Sequence, residues 1–273
     1  MDGGLDRDLI TSPHNAAVKR ARKLRQRKFR ETEKAFLVEG IAHVRQAVDH
    51  RAPIESLLVA PELLTSEGAW EVIERERKAG TATLFLGREA FEGIVVRDHP
   101  SGLAAIMRME DRPLTGMVAT DDAVFVAVLE VGNPGNLGSI IRTVDAVGGA
   151  GVVIVGDSTD VYHPQSVKAS MGTIFTVPFH RAGDVDELFA WCLMEQVDVV
   201  TTSVRAEKLL WQEELDTPCL FLFGSETQGL PPEVLRRGST SVRLPMEGSA
   251  SSLNLSVAVG VMLYEMRRRA FNP

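Results

Sequence analysis

Three short segments hold the residues whose types and spacing could do chemistry: NPGNLGSIIR (133–142), GSETQGL (224–230) and PMEGSASSLNLS (245–256). The first follows an apolar run and sets two Asn, two Gly and one Pro ahead of Arg142. A glycine-rich turn opening a helix suits an anion, because unpaired N–H groups and the helix dipole both favour negative charge there. It is not a nucleotide-phosphate loop, since GxxxxGK[ST] occurs nowhere and no lysine stands ready for phosphates. Nor is it a dinucleotide fingerprint: Gly132, Gly135 and Gly138 give GxxGxxG rather than GxGxxG, and only Asp157 offers an acidic partner about 20 residues on. No GxSxG or HExxH is present, and the six histidines are scattered without metal-ligand spacing. His163, beside Pro164, reads as a loop or core histidine.

Arg142 falls off the apolar stripe of its helix, formed by Leu137, Ile140, Ile141, Val144 and Val147. It either pairs with Asp145 at i+3 on the surface or faces an anion one turn into the helix. Periodicity leaves both open. In the second segment a buried strand, LFLF, runs straight into Gly-Ser-Glu-x-x-Gly. In the third, a loop of small residues leads to Ser252-Leu253-Asn254 at the start of a helix. Small residues at strand ends allow a ligand close to the backbone, and open α/β sheets bind ligands in such crevices.

The elements that must position these loops alternate. A helix starts after Ser12-Pro13 and runs over 13–30; AFLVEG (35–40) is a strand, 41–50 a helix, 54–60 a strand, 67–80 a helix closed by Gly80, and 82–86 a strand. FEGIVV and SGLAAIMRM complete a first α/β unit, giving a domain over 1–109. The polar stretch 110–122, with Pro113 and Gly116, reads as a linker. A second domain, 123–273, opens with AVFVAVLEV (123–131), a continuous apolar run of the kind covered on both faces. GVVIVG (151–156), TIFTVPF (173–179), DVVTTSV (198–204) and CLFLFG (219–224) are further strands, which together argue for a parallel sheet with helices on both sides. In the last helix Leu253, Val257, Val261 and Tyr264 form one stripe.

At 273 residues the chain is long enough for two cores. Its two cysteines sit in no CxxC, which argues against a disulfide framework or structural zinc and fits a reducing cytosol. No signal peptide and no membrane-spanning run is read, so a cytoplasmic protein is expected. The net charge of −7 is unevenly spread: residues 18–34 hold nine Lys/Arg against two Glu, or +7, which leaves −14 on the remainder. Such a segment is either a solvated helix face or a focused anion contact, with Lys19, Arg22, Lys23, Arg25, Arg27 and Lys28 as the candidate anion-contact residues.

Taken together, the three segments resemble the SpoU (TrmH-type) family of RNA ribose 2′-O-methyltransferases within the SPOUT superfamily, in the family's order and spacing. FLVEG (36–40) resembles the start of that family's frequent substrate-binding domain, itself similar to ribosomal RNA-binding proteins. The resemblance implies an α/β fold with a deep trefoil knot near the C-terminus, S-adenosyl-L-methionine as cofactor, and a homodimer with its active site at or near the subunit interface. It implies Thr202, Gly224, Gly229, Leu244, Met246 and Leu253 around the cofactor, and Asn136, Arg142, Glu226, Ser252 and Asn254 as catalytic or site-shaping. No metal is implied. The expected substrate is ribosomal RNA, most of all large-subunit RNA, with transfer RNA or a non-catalytic RNA-binding role as alternatives. Housekeeping modification and protection against a ribosome-targeting antibiotic both occur in the family, and no residue separates them here. LNLS stands where LNVS is frequent, a small volume change at Leu255.

Overall fold

The computed structural model describes residues 9–96 and 100–271; the first eight residues, read above for a leader, lie outside them. The chain forms two compact units, Met1–Glu110 with Tyr162–Phe175, and Asp111–Val161 with Thr176–Pro273. The first contains α1 (Ala16–Lys23), α2 (Arg27–Glu33), β1 (Ala35–Glu39), α3 (Ile41–Asp49), β2 (Ile54–Val59), α4 (Glu67–Lys78), β3 (Ala82–Phe85), α5 (Arg88–Glu92) and β4 (Leu103–Arg108). Its four strands lie in the order β1-β4-β2-β3, with β4 antiparallel to both neighbours and β3 parallel to β2.

The second unit carries β5 (Val124–Leu129), α6 (Pro134–Val147), β6 (Gly151–Val155), β7 (Phe179–Ala182), α8 (Val185–Met194), β8 (Asp198–Thr202), β9 (Lys208–Leu209), β10 (Cys219–Phe223), α9 (Pro232–Leu235), β11 (Thr240–Arg243) and α10 (Leu255–Phe271). Its seven strands are ordered β7-β6-β5-β10-β8-β11-β9, and every neighbouring pair is parallel. Helices covering both faces explain why β5, β6 and β10 read as unbroken apolar runs. In the core Trp191 meets Phe125 edge-on at 5.3 Å and donates its indole N–H to the Met117 carbonyl at 2.9 Å. Leu114 and Met117 are buried in that same core. The stretch 110–122 is therefore anchored by its apolar residues rather than being a free tether.

Residues Tyr162–Phe175, inside the stretch expected to be one C-terminal domain, pack with the first unit. There α7 (Pro164–Ala169) is capped by His163, whose Nδ1 accepts the Gln165 N–H at 3.1 Å, so this histidine is structural. Tyr162 packs on Phe36 with ring centres 4.4 Å apart. Gly172 has φ of +96°, and a Cβ there would meet the Gln46 side chain at 2.8 Å. TIFTVPF is not the expected strand. Thr173 donates both its N–H and its hydroxyl to the Ser170 carbonyl, at 3.0 and 2.7 Å, making a 3₁₀ turn over Thr173–Phe175; strand pairing begins only at Phe179.

The stripe expected on α10 is also corrected. Leu255, Val259, Met262, Leu263 and Met266 are its buried side, while Val257, Val261 and Tyr264 are exposed. The helix is apolar on both faces, so periodicity alone does not choose between them. Its buried Glu265 accepts from Arg268 at 2.8 Å and Arg269 at 2.9 Å, which holds its pKa down to about 2 against the opposing effect of burial. Arg269 also donates to the Leu210 and Glu213 carbonyls, both at 2.6 Å, fastening the end of α10 to the segment around Trp211. No helix among the described residues is long and apolar enough to cross a membrane.

The basic segment forms two helices instead of one. Asn15 caps α1 by accepting the Ala17 N–H at 2.8 Å, and α1 stops at Leu24. Arg30, only 1% exposed, donates to the Leu24 and Arg25 carbonyls at 2.9 and 2.8 Å, so a side chain of α2 satisfies the orphan carbonyls of α1. Arg20 is taken up by Glu33 and Glu55, which raise its pKa, the Glu55 hydrogen bond first. Lys19, Arg22, Lys23, Arg25, Arg27 and Lys28 are exposed. Replacing Arg30 with Ala removes a buried anchor and strands two carbonyls, which should cost about 2–4 kcal/mol. A drop of several degrees in thermal midpoint is expected, and an unchanged melt would show that Arg30 does not hold the two helices together.

Candidate active site

The loops singled out in the sequence leave β5, β10 and β11 at their carboxyl ends, and β8 lies between β10 and β11. Parallel order places all four exits on one edge of the sheet, the edge where open α/β sheets bind ligands. Asn133 caps α6, its Oδ1 accepting the Gly135 and Asn136 N–H groups at 2.8 and 3.3 Å, with Pro134 in the first turn where no N–H is needed. Below it, buried Ser158 accepts the Val131 N–H at 3.2 Å and donates to the Val155 carbonyl at 2.8 Å. The exit of β5 is thus stapled to the exit of β6. Ser158 carried no signal in the sequence, being one serine in a polar loop.

Glu226 gathers the site. Its carboxylate accepts the Gly132 N–H at 3.2 Å, the Asn133 N–H at 3.3 Å and the Asn136 Nδ2 at 3.0 Å. Asn136 in turn accepts from Asn254 Nδ2 at 3.0 Å. The structure therefore brings Asn136, Glu226 and Asn254 into one hydrogen-bonded row. Burial pushes the Glu226 pKa up, but the Asn136 side chain and the backbone N–H donors outweigh it and hold the carboxyl below its ordinary value. An acid kept ionised and saturated with donors is a fastener, not a proton shuttle.

Arg142 is not in that row. Six residues beyond Asn136 on α6, it stands roughly 9 Å along the axis and a third of a turn away. It is exposed and makes no ion pair among the described residues. The expected alternative, pairing with Asp145, does not occur, since Asp145 accepts from the Thr176 hydroxyl at 2.9 Å.

Beside the row lies a cavity of about 800 Å³ lined by Thr202, Gly224, Gly229, Leu244, Met246 and Leu253, with Glu226, Ser252 and Asn254 also on its wall. That size suits a small-molecule ligand. Leu230, Leu255 and Met262 add apolar surface. From Met246 to Leu253 no backbone N–H donates to a backbone carbonyl among the described residues, so the loop can turn main-chain groups toward a ligand. An apolar wall with free main-chain donors fits S-adenosylmethionine, which pairs a purine with a polar tail. Two details were not visible in the sequence. The Thr202 hydroxyl already donates to the Leu222 carbonyl at 3.0 Å. Gly224 lacks room for a Cβ because the backbone of Gly229 comes within 2.0 Å of where it would stand. The second loop thus needs glycine to fold on itself, with Gly229 at φ of +69°.

Comparison with known proteins agrees with this geometry. The model of the SpoU rRNA methylase family matches residues 123–264, and that of the MRM3-like substrate binding domain matches residues 15–105. A 23S rRNA (uridine(2479)-2′-O)-methyltransferase from Streptomyces viridochromogenes is 30% identical, over 86% of this chain and 83% of its own. The 23S rRNA (guanosine(2553)-2′-O)-methyltransferase RlmP of Bacillus subtilis is 29% identical, over 94% and 98%. Among solved structures, an AdoMet-bound rRNA methyltransferase from Sinorhizobium meliloti superposes with a TM-score of 0.88 at 32% identity, covering 96% of this chain and 97% of that one. With matched motifs, matched fold and a cavity of the right kind, the chain belongs to the SpoU rRNA methylase family.

Proposed function

We propose that this protein is an S-adenosylmethionine-dependent methyltransferase acting on a ribose 2′-hydroxyl of large-subunit ribosomal RNA in the cytoplasm. The observation that carries this reading is the Glu226–Asn136–Asn254 row at the mouth of the cavity. That row borders a cavity of the size a cofactor needs, and the curated relatives cited above are named as 23S rRNA enzymes. The knot belongs to the same reading, supported by a sheet in which β10 sits between β5 and β8 and by the return of α10 onto α6.

Bound cofactor would supply a methyl group on a sulfonium, open to in-line displacement by oxygen. Thr202, Gly224, Gly229, Leu244, Met246 and Leu253 would hold it, and Ser252 would shape its edge. The chain's own task is positioning, the largest available contribution to a displacement of this kind. A guanidinium presents five donors and no acceptor, so Arg142 serves as a phosphate clamp and a stabiliser of charge on the attacking oxygen rather than as the base. Asn254 orients the ribose, and Asn136 holds Asn254 in place. Lys19, Arg22, Lys23, Arg25, Arg27 and Lys28 hold RNA phosphates. Arg142→Ala should lower turnover by about 10²-fold or more while leaving S-adenosylhomocysteine affinity nearly unchanged. Turnover within twofold of the parent would remove Arg142 from the mechanism. Reversing charge at Arg22, Arg25 and Lys28 should weaken RNA binding and flatten its dependence on salt; if both persist, the segment is a solvated face.

The protein works as a homodimer. Val257, Val261, Tyr264 and Trp211 leave an apolar face on the outside of α10, and a second copy satisfies such a self-complementary patch. Arg142, standing off the row in its own chain, then serves the row of the partner. Mixing inactive Arg142→Ala with inactive Asn136→Ala should restore about a quarter of parental activity, because half the dimers then carry one intact site. A sedimenting monomer, or no recovery from a verified mixed dimer, would reject the composite site.

A further inference from the structure

The row of side chains at the cavity mouth has a direction, and the direction is fixed from both ends. At one end Glu226 is an ionised acceptor, so the Asn136 amide must turn its NH₂ toward it and its oxygen away. At the other end Asn254 caps α10, its Oδ1 accepting the Ser256 N–H at 3.0 Å and the Ser256 hydroxyl at 2.7 Å. That commits the Asn254 oxygen to the helix and its NH₂ to the Asn136 oxygen, at 3.0 Å. Amide orientation is ordinarily an assignment made from the hydrogen-bond network. Here two independent constraints, a carboxylate and a helix cap, give the same answer.

The remaining valences follow. Asn254 Nδ2 has one N–H left after Asn136, and Asn254 is exposed on the cavity wall. Asn136 is buried, and the Asn254 oxygen already has two donors. The two asparagines therefore offer the cavity a donor and no acceptor, while the Glu226 carboxylate on the same wall is occupied by its three N–H donors.

Building on the methyltransferase reading, we propose that Asn254 is a one-way donor to a ribose oxygen of the RNA, and that Ser256 is the positioning residue that locks it in that sense. A donor fixed before the reaction stabilises negative charge developing on the attacking oxygen without reorganising. Glu226 contributes by polarity alone: it orients Asn136, which orients Asn254.

The test compares Asn254→Ala, which removes the donor, with Asn254→Asp, which keeps the shape and cap but replaces the donor with a charged acceptor facing the Asn136 oxygen. Asn254→Ala should lower kcat about 10²-fold, and Asn254→Asp at least about tenfold further. Ser256→Ala should lower kcat about tenfold with little change in KM, and Ser256→Thr, which retains the hydroxyl, should restore it to within about twofold of the parent. S-adenosylhomocysteine binding and thermal melts, measured on every variant, separate lost chemistry from lost folding. An Asn254→Asp enzyme as active as Asn254→Ala would overturn the proposal. Should Asn254→Asp fail to fold, equal kcat for the two Ser256 variants would overturn it as well. A parent protein that binds S-adenosylhomocysteine but methylates no ribosomal RNA would instead refute the reading on which the proposal rests, and the proposal with it.

Discussion

The site depends on one carboxylate finding three N–H donors. Glu226 lies in the loop after β10, while Gly132, Asn133 and Asn136 lie in the loop and first turn after β5. Parallel strands give their loops no hydrogen bonds to one another, so without such a bridge each exit would be set only by its own turn. Donors that outweigh desolvation keep Glu226 ionised below the ordinary carboxylate range. Its folded pKa is depressed, so the closure it provides is fully present above the unfolded carboxylate value and is lost as pH falls through the folded one.

The sheet makes that bridge possible. β5 and β10 are neighbours in register from Cys219↔Val124 to Phe223↔Val128, so their loops start level. β8 and β11 continue the edge, and the loop from Leu244 to Asn254 returns to the same place before α10 begins. The backbone departs from common conformations there: Glu130 has φ of +53° directly after β5, and Gly229 closes the second loop in the left-handed region. Unusual backbone beside a site is sustained by surroundings that over-determine it. β10, fully buried, and β5, buried from Phe125 onward, are such surroundings.

Much of this was legible in the sequence, and what was not has identifiable causes. The alternation of runs and turns gave nearly every strand, and the resemblance of the three motifs to the family pointed to Asn136, Glu226 and Asn254. The break between α1 and α2 was hidden because Leu24–Gln26 contains no Gly or Pro; it is made by Arg30 reaching back across the turn, a contact no local pattern encodes. The outward apolar stripe of α10 was legible, but not which side of the helix is buried, because both faces are apolar. The docking of Tyr162–Phe175 on the first unit was invisible because proximity along the chain argues for the second. Ser158 and Ser256 each act through two hydrogen bonds, to backbone and to the Asn254 side chain respectively, and serine at a loop or helix start is too common to signal that.

The charge of the chain is unevenly placed. Of nine cations over residues 18–34, Arg20 and Arg30 are drawn into the fold and Arg27 pairs with Glu31 at 2.7 Å, an exposed contact of little strength. The other exposed cations sit on a protein whose remainder is strongly acidic, so positive charge is concentrated in a segment suited to phosphate contacts. Contacts of that kind give affinity with little sequence information. Selection of one ribose must then come from shape and from short, directional hydrogen bonds at the sheet edge. A site whose acid is held ionised has geometry as its main resource, and neutral asparagines, held from both ends, stand at its centre.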